Sequence, residues 1–253
     1  EGINHEAVGL AGHLGLGRLI VFWDDNRITI DGATDLSTSE DIAARYVASG
    51  WHVEACDGHD FNDIDRAISA AVADNRPSLI ACRTLIGKGS PNKEGTKAPH
   101  GSPLGADEIV ATRAALDWPY PAFEMPDDVL GAWRATGKAG AVAHAEWDAR
   151  FAASAKAAAF RTAMAGMPSN AWLKPHLDGL IAAPQKIATR KASEIALTSA
   201  TAAIAELLGG SADLTGSNFT RTTYTNTLDK NDYSGRYVNY GIREFGMAAA
   251  MNG

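Results

Sequence analysis

The sequence contains no stretch of about 18 consecutive apolar residues, so no segment reads as a bilayer-spanning helix and no membrane partner is expected. Basic residues are outnumbered: 23 Lys and Arg stand against 30 Asp and Glu, a net charge of -7. That balance opposes a nucleic-acid partner, which calls for a basic face. Cysteine is scarce, with only Cys56 and Cys82 and no C-x-x-C or zinc-ligand spacing. Both lie in apolar, strand-like runs, which predicts buried reduced thiols in a cytoplasmic protein. No Walker A loop, no G-x-G-x-x-G opening a helix, no H-E-x-x-H and no paired-carboxylate signature is present. A charged n-region followed by an apolar h-region, the mark of a signal peptide, is also missing. Internal repeats are absent, and alanine bias is the only compositional skew.

What remains is ordinary globular composition, 45% hydrophobic and 21% charged, which excludes collagen and disorder. The chain opens Glu1-Gly2-Ile3 and closes in a helical pattern, Met247 to Gly253, ends that suggest a section of a longer protein.

Ile3, Ala7, Leu10, Ala11 and Leu14 recur at helical spacing, with Gly15 and Gly17 as stop signals. Leu19 to Trp23 is an unbroken apolar run, read as a strand buried on both faces. A helix over 38–49, capped by Thr38 or Ser39, leads to a strand over 51–56. A helix over 61–73, capped by Asp60, leads to a strand over 79–85. The alternation predicts a parallel α/β sheet. Residues 87–105 form a long loop rich in Gly, Pro, Lys and Ser, a type of loop that is usually functional or disordered. Helices are expected over 106–116, 127–135 and 139–165, the last with Trp147, Phe151 and Phe160 on one stripe. Pro168 to Pro184 has linker character. A fresh α/β pattern follows: helix 190–207, a strand near 208–212, a polar loop 213–235, a strand 236–239 and a helix 242–250.

Ligands of open parallel sheets bind beyond the carboxyl ends of the strands. Asp24, Asp25 and Asn26 occupy such an end, and their oxygens suit a hard cation such as Mg²⁺ with phosphate as co-ligand. The same three residues are also ordinary turn formers, and on spacing alone the turn reading is preferred. The 87–105 loop places His100 among glycines whose amides could approach a phosphate, with Lys88, Lys93 and Lys97 adding charge. On its own, His100 is as readily an exposed loop residue. Arg243 and Glu244, in Tyr240-Gly-Ile-Arg-Glu-Phe-Gly-Met247, fall at a strand-to-helix turn. There Glu244 either faces a ligand or complements the helix dipole. The loop Ser211 to Asn218 is similarly open between turn and anion site. Taken residue by residue, these features give a phosphate- and metal-binding α/β protein of unresolved function.

Together, however, the segments resemble the transketolase family. The matching stretches are Glu1 to Glu6, Ala11 to Gly17, Asp24 to Thr34, His100 to Gly105, Ala188 to Ser193, Gly209 to Thr215 and Tyr240 to Met247, in family order along the whole chain. The resemblance implies a thiamine-diphosphate-binding α/β fold with parallel sheets. It divides the chain into a diphosphate-binding part over 1–135, a helical linker over 136–187 and the start of a pyrimidine-binding part over 188–253. The expected activity is transfer of a two-carbon glycolaldehyde unit from a ketose phosphate to an aldose phosphate through a thiamine diphosphate carbanion, as in the pentose phosphate pathway.

The family resemblance also assigns residues. Asn26 and the carbonyl of Ile28 match metal ligands, for Mg²⁺ with Ca²⁺ able to replace it. Asn26, His100, Asp213 and Glu244 match cofactor contacts. His100, Arg190 and Ser217 match substrate contacts, Arg190 as a bidentate phosphate clamp. Glu244 and His100 match catalytic groups; the Glu244 carboxyl stabilises the imino tautomer of the cofactor's aminopyrimidine ring. Family members are homodimers with the cofactor between the diphosphate-binding part of one subunit and the pyrimidine-binding part of the other, so Asn26 and Glu244 are expected in different active sites. The family's Gly-Asp-Gly triplet, with the principal metal carboxylate, would fall before Glu1. Phe245 stands where some relatives have His. Lys97-Ala98-Pro99 also departs from the small or polar residues usual before His100. The expectation is therefore an internal section of a transketolase, lacking both N-terminal and C-terminal parts and inactive by itself. A related ketol transferase such as dihydroxyacetone synthase, or the synthase that makes deoxyxylulose phosphate, is the alternative parent.

Overall fold

The computed structural model describes residues 2–166 and 169–253; Pro168, the expected start of the linker, lies outside the described residues. The chain forms two compact units, Glu1–Met125 and Pro126–Gly253.

In the first unit, helix α1 (Gly2–Leu14) precedes β1 (Ile20–Asp25), α2 (Ile42–Ala48), β2 (His52–Asp57), α3 (Phe61–Ala73), β3 (Ser78–Arg83) and α4 (Ala106–Ala115). The three strands form one parallel sheet in the order β1-β3-β2. Successive side chains of a strand face opposite ways, so the central strand sends Leu79 to one side and Ile80 to the other. Leu79 packs with Val8 and Ala11 of α1, Tyr46 of α2 and Trp51. Ile80 packs with Cys56 of β2 and with Ala67 and Ala71 of α3. Both residues are almost fully buried, at 1% and 0% exposure. The Trp51 indole N–H donates to the Val8 carbonyl at 2.9 Å, and its ring meets that of Tyr46 edge-on at 5.0 Å. A polar group buried in this layer is thereby satisfied.

Local signals explain the element ends. Asp60 caps α3 by accepting from the Asn62 amide, as expected. The cap of α2 is Asp41, which accepts from the Ala44 amide, and not Thr38 or Ser39; the helix starts later, at Ile42. Thr34–Leu36 is instead a short 3-10 turn. Gly50 ends the segment with φ +84°, a left-handed conformation that glycine adopts without penalty. β1 is not buried on both faces: it is an edge strand, α3 packs chiefly against β2 and β3, and Phe22 is 53% exposed. Cys56 is buried and Cys82 is half-buried; both are free thiols.

The second unit begins with α5 (Asp127–Ala152), α6 (Ala157–Met164) and α7 (Leu173–Ala182). The two helices expected over 127–135 and 139–165 are redistributed. Gly137 and Gly140 stay helical and the break falls at 153–156. Glycine weakens a helix by only about 1 kcal/mol, less than many flanking alanines supply. The aromatic stripe bridges that break: Trp147 stacks on Phe151 at 4.9 Å, and Phe151 meets Phe160 edge-on at 5.5 Å. Within the expected linker, Leu173 to Ala182 is helical. Its Pro175 lies in the first turn, where no intrahelical N–H bond is lost. No helix among the described residues is long and apolar enough to cross a membrane.

Helix α8 (Thr189–Ala203), β4 (Gly209–Ser211), α9 (Thr215–Asn218), β5 (Tyr237–Asn239) and α10 (Glu244–Asn252) complete this unit. Helix α8 stops before the expected position 207, and α9 interrupts the expected polar loop. β4 and β5 pair in parallel with Ser211 opposite Asn239. A Cβ on Gly210 would lie 2.4 Å from the Val238 carbonyl oxygen, so the close approach at this position requires glycine. The loop between the strands is fastened by Arg236, which donates to the carbonyls of Thr201, Ile204, Ala205 and Tyr224.

In α1, a Cβ on Gly12 would fall 1.8 Å from the Ser49 carbonyl oxygen. Gly12→Ala must push α1 off the turn that leads into β2. We expect it to destabilise the chain by about 1–3 kcal/mol, read as a lower urea midpoint; an unchanged midpoint would show that the turn yields at no cost.

Candidate functional site

The parallel register delivers the ends of all three strands of the first sheet to one edge: Asp24 and Asp25 from β1, Asp57 from β2, and Arg83 from β3. Asn26 follows directly. Its side-chain amide donates to Asp24 Oδ2 at 3.2 Å, and its Oδ1 accepts from the Ile28 amide at 2.9 Å. This Asx-type turn is accompanied by a left-handed Arg27, φ +61°. The turn reading of these residues is therefore real, and it also holds the Asn26 side-chain oxygen beside the Ile28 backbone. Asp25 is balanced by Arg27 at 2.8 Å and Arg83 at 3.5 Å. Asp24 accepts from the Thr84 hydroxyl.

The loop carrying His100 lacks regular structure but is tied down. Glu108, in the first turn of α4, is buried and accepts from the Ser90 hydroxyl, from the Asn92 amide N–H and from the Asn92 side chain, the last two at 2.9 Å. Lys93 donates to the Leu104 carbonyl at 2.7 Å, and Lys97 to the Asp31 carbonyl at 3.1 Å. Lys93 and Lys97 are thus engaged with backbone. The Lys97 contact joins the His100 loop to the loop that follows Asn26. His100 itself is exposed.

Next to this region is a cavity of about 670 Å³, lined among others by Asp25, Cys56, Asp57, His59, Arg83 and Lys88. His59 Nε2 accepts from the Leu85 amide at 2.9 Å, which assigns its proton to Nδ1. Asp63, also in the lining, is held below the ordinary carboxylate range, chiefly by the Asp57 amide and then by Arg66. Apart from Asp25 and Lys88, these groups escape motif reasoning. The rule that sites form beyond strand ends, applied to Asp57-Gly58-His59 after β2, is the signal that finds them.

In the second unit the edge of the β4–β5 sheet holds a polar pocket of about 270 Å³, lined by Ser211, Asp213, Thr215, Gly216, Asn239 and Gly241. Asp213 is left-handed, φ +59°, and lies in the lining. Ser217 belongs to α9, which ends at left-handed Phe219. The Arg190 guanidinium lies over the Phe219 ring at 5.2 Å, which brings Arg190 to the end of the helix that bears Ser217. Tyr237 is fully buried, and its hydroxyl bonds to Thr215 at 2.7 Å and Thr220 at 2.8 Å, one on each side of Ser217. Glu244 is the exposed first residue of α10, preceded by Arg243, which donates to the Tyr240 carbonyl at 2.8 Å. Burial pushes the Tyr240 phenol up. Thus Asn26, Ile28 and His100 belong to the first unit, and Arg190, Asp213, Ser217 and Glu244 to the second.

Residues 1–170 match the family model described as transketolase, thiamine diphosphate binding domain, and residues 185–253 match transketolase, pyrimidine binding domain. The chain belongs to the transketolase family. It is 54% identical to the transketolase of Cereibacter sphaeroides over 258 residues and 50% identical to transketolase 1 of Aliivibrio fischeri over 262 residues. In both cases all of this chain aligns to 39% of the relative. A Pichia stipitis transketolase solved in complex with sedoheptulose 7-phosphate superposes with a TM-score of 0.90 at 37% identity, covering all of this chain and 39% of that one. The Leishmania mexicana transketolase gives 0.89 at 36% identity, with 38% of its chain covered. The chain thus spans about two fifths of the length of the transketolases it matches.

The Glu108 carboxyl is held below its ordinary value by the Ser90 hydroxyl first and then by Asn92. A lowered pKa means that the ionised form holds the loop. Its contribution is complete above the unfolded value of about 4.3 and disappears as pH falls through the lower folded value. We expect Glu108→Gln to speed tryptic cleavage at Lys93 and Lys97 at neutral pH, and acidification of the unsubstituted chain to raise hydrogen exchange in the same loop. Equal cleavage rates in the two proteins would show that Glu108 does not secure it.

Proposed function

We propose that this chain is a section of a transketolase, which moves a two-carbon glycolaldehyde unit from a ketose phosphate to an aldose phosphate. The observation that carries the reading is the ordered match of both domains along the chain, with the candidate residues lying at or beside the carboxyl edges of two parallel sheets. The division into a diphosphate-binding part (1–135), helical linker (136–187) and pyrimidine-binding part (188–253) is retained within this proposal, supported by the helices between Asp127 and Ala182.

The Asn26 side-chain oxygen and the Ile28 carbonyl are the hard oxygen donors that Mg²⁺ or Ca²⁺ takes. They are part of a coordination sphere only: among the described residues no group of three or more His, Cys, Asp or Glu could hold a metal. Mg²⁺ characteristically completes its octahedron with phosphate oxygens and water, so Asn26 and Ile28 fit a metal that is carried with a diphosphate. When bound, thiamine diphosphate supplies a nucleophilic carbon and an electron sink for breaking the bond between C2 and C3 of the sugar.

The protein's own groups then take separate tasks. Glu244, at the start of α10, holds a proton at a ring nitrogen of the cofactor's aminopyrimidine. That contact would favour the imino tautomer of the bound ring, the form that can serve as a base. His100, exposed on its tethered loop, would offer a hydrogen-bond donor to the diphosphate and sugar. Asp213 would contact the cofactor from the pocket it lines. Arg190, steadied on Phe219, grips the sugar phosphate bidentately with Ser217 as a second donor. Family resemblance supports a homodimer with the cofactor shared between subunits, and the two free thiols support a cytoplasmic setting. The activity is ascribed to the complete polypeptide and not to these 253 residues alone.

The reading is tested by offering ribose 5-phosphate, formaldehyde, or glyceraldehyde 3-phosphate with pyruvate to the complete polypeptide. Transfer to ribose 5-phosphate is expected; turnover confined to either other system would reassign the parent to a related ketol transferase or synthase. In the same polypeptide Glu244→Gln should lower kcat by about 100-fold or more, the scale of positioned proton transfer, with unchanged thermal unfolding. Near-normal turnover would remove Glu244 from its role.

A further inference from the structure

On the α3 face of the first sheet, β2 and β3 are in register with Cys56 directly opposite Cys82. The two sulfurs are 3.6 Å apart and neither is in a disulfide. Adjacent strands are spaced about 4.8 Å apart, inside the Cα separation of roughly 4.4–6.8 Å that a disulfide spans. The two thiols have different surroundings. Cys56, though buried, forms part of the wall of the 670 Å³ cavity, whereas Cys82 is half-buried beside Ile80 and outside that lining. A small solute that enters the cavity from the strand ends meets Cys56 in its wall.

We propose that Cys56 and Cys82 form a peroxide-reactive dithiol, in which a hydroperoxide entering the cavity oxidises Cys56 to a sulfenic acid and Cys82 resolves it to a cross-strand disulfide. In the first step the Cys56 thiolate attacks one peroxide oxygen. An S–O bond forms, the O–O bond breaks, and the leaving hydroxide takes up the thiol proton as water. In the second step the Cys82 sulfur attacks the sulfenic sulfur. The S–S bond forms, the S–O bond breaks, and the departing hydroxide takes the Cys82 proton as a second water. Two thiols lose two electrons, and hydrogen peroxide gains them. Resolution requires the sulfurs to close from 3.6 Å to about 2.05 Å, within reach of side-chain rotation. Burial first, and then the neighbouring Cys56 and Asp24, push the Cys82 thiol up to about 11. The resolving step therefore accelerates as pH rises from neutral towards that value. The product would join β2 to β3 beside the cavity, and thiol reductants would reverse it.

The test uses the 253-residue chain, reduced and treated with a small excess of hydrogen peroxide before alkylation and mass analysis. The expected product has lost two hydrogens and both thiols together, yields one peptide pair joined through Cys56 and Cys82, and reverts with dithiothreitol. Its formation should quicken with pH. Cys82→Ser should leave Cys56 trapped by dimedone as the sulfenic acid, and Cys56→Ser should leave Cys82 unreacted on the same timescale. Two free thiols after peroxide treatment that oxidises glutathione, oxygen addition without a cross-link, or linkage between two chains would each overturn the proposal. The unsubstituted protein alone decides among these outcomes, so a variant that fails to fold does not blunt the test.

Discussion

The first unit depends on the burial of β3 between two helical layers. A strand covered on both faces must be apolar on both, and Leu79 and Ile80 divide the work: one closes the layer of α1 and α2, the other the layer of α3. With both neighbours parallel to β3, all three strands end at the same edge. The polar residues at their ends come from three segments tens of positions apart, Asp24 with Asp25, Asp57, and Arg83 with Thr84, and converge only through that register. The cavity, the Asn26 turn and the cysteine pair all follow from it.

The second unit solves the same problem with less sheet. Two strands of three residues cannot stand alone in water, and the loop between them is long. Side chains take the place of a wider sheet. Tyr237 bonds to threonines on both sides of Ser217, and Arg236 ties four carbonyls to the strand. The Tyr237 hydroxyl holds the short helix at Thr215, and the Arg236 guanidinium holds the end of α8 and the inter-strand loop. Left-handed Asp213 and Phe219 flank that helix, a backbone cost of roughly 1–3 kcal/mol each that surrounding contacts must offset.

Local grammar was legible where one signal dominated. Helix α3 begins and ends where its cap and periodicity predict, because Asp60 and the apolar spacing agree. Helix boundaries depart from the sequence pattern where signals compete. Thr38 and Ser39 are good caps, but Asp41 lies closer to the apolar run that packs on Trp51. Gly137 and Gly140 are weak breakers within an alanine-rich helix. Pro175 lies within the Pro168 to Pro184 stretch of linker character, yet a first-turn proline leaves a helix intact. Apolar content alone overstates the burial of β1, since it records what a strand tolerates and not which strand ends up at an edge.

Sequence alone determined the class of fold, through apolar period and the order of elements, while resemblance to the family's motifs pointed to the family and to the residues that match them. It left Asp24-Asp25-Asn26 and His100 open between turn and ligand, because both readings use the same residue types. Tertiary structure decided the rest: that Lys97 joins the His100 loop to the Asn26 loop, that Arg190 rests on Phe219, that Glu108 latches the long loop, and that Cys56 faces Cys82. Each is a contact between distant segments, fixed by strand register and layer packing, and distance through space is not written in spacing along the chain.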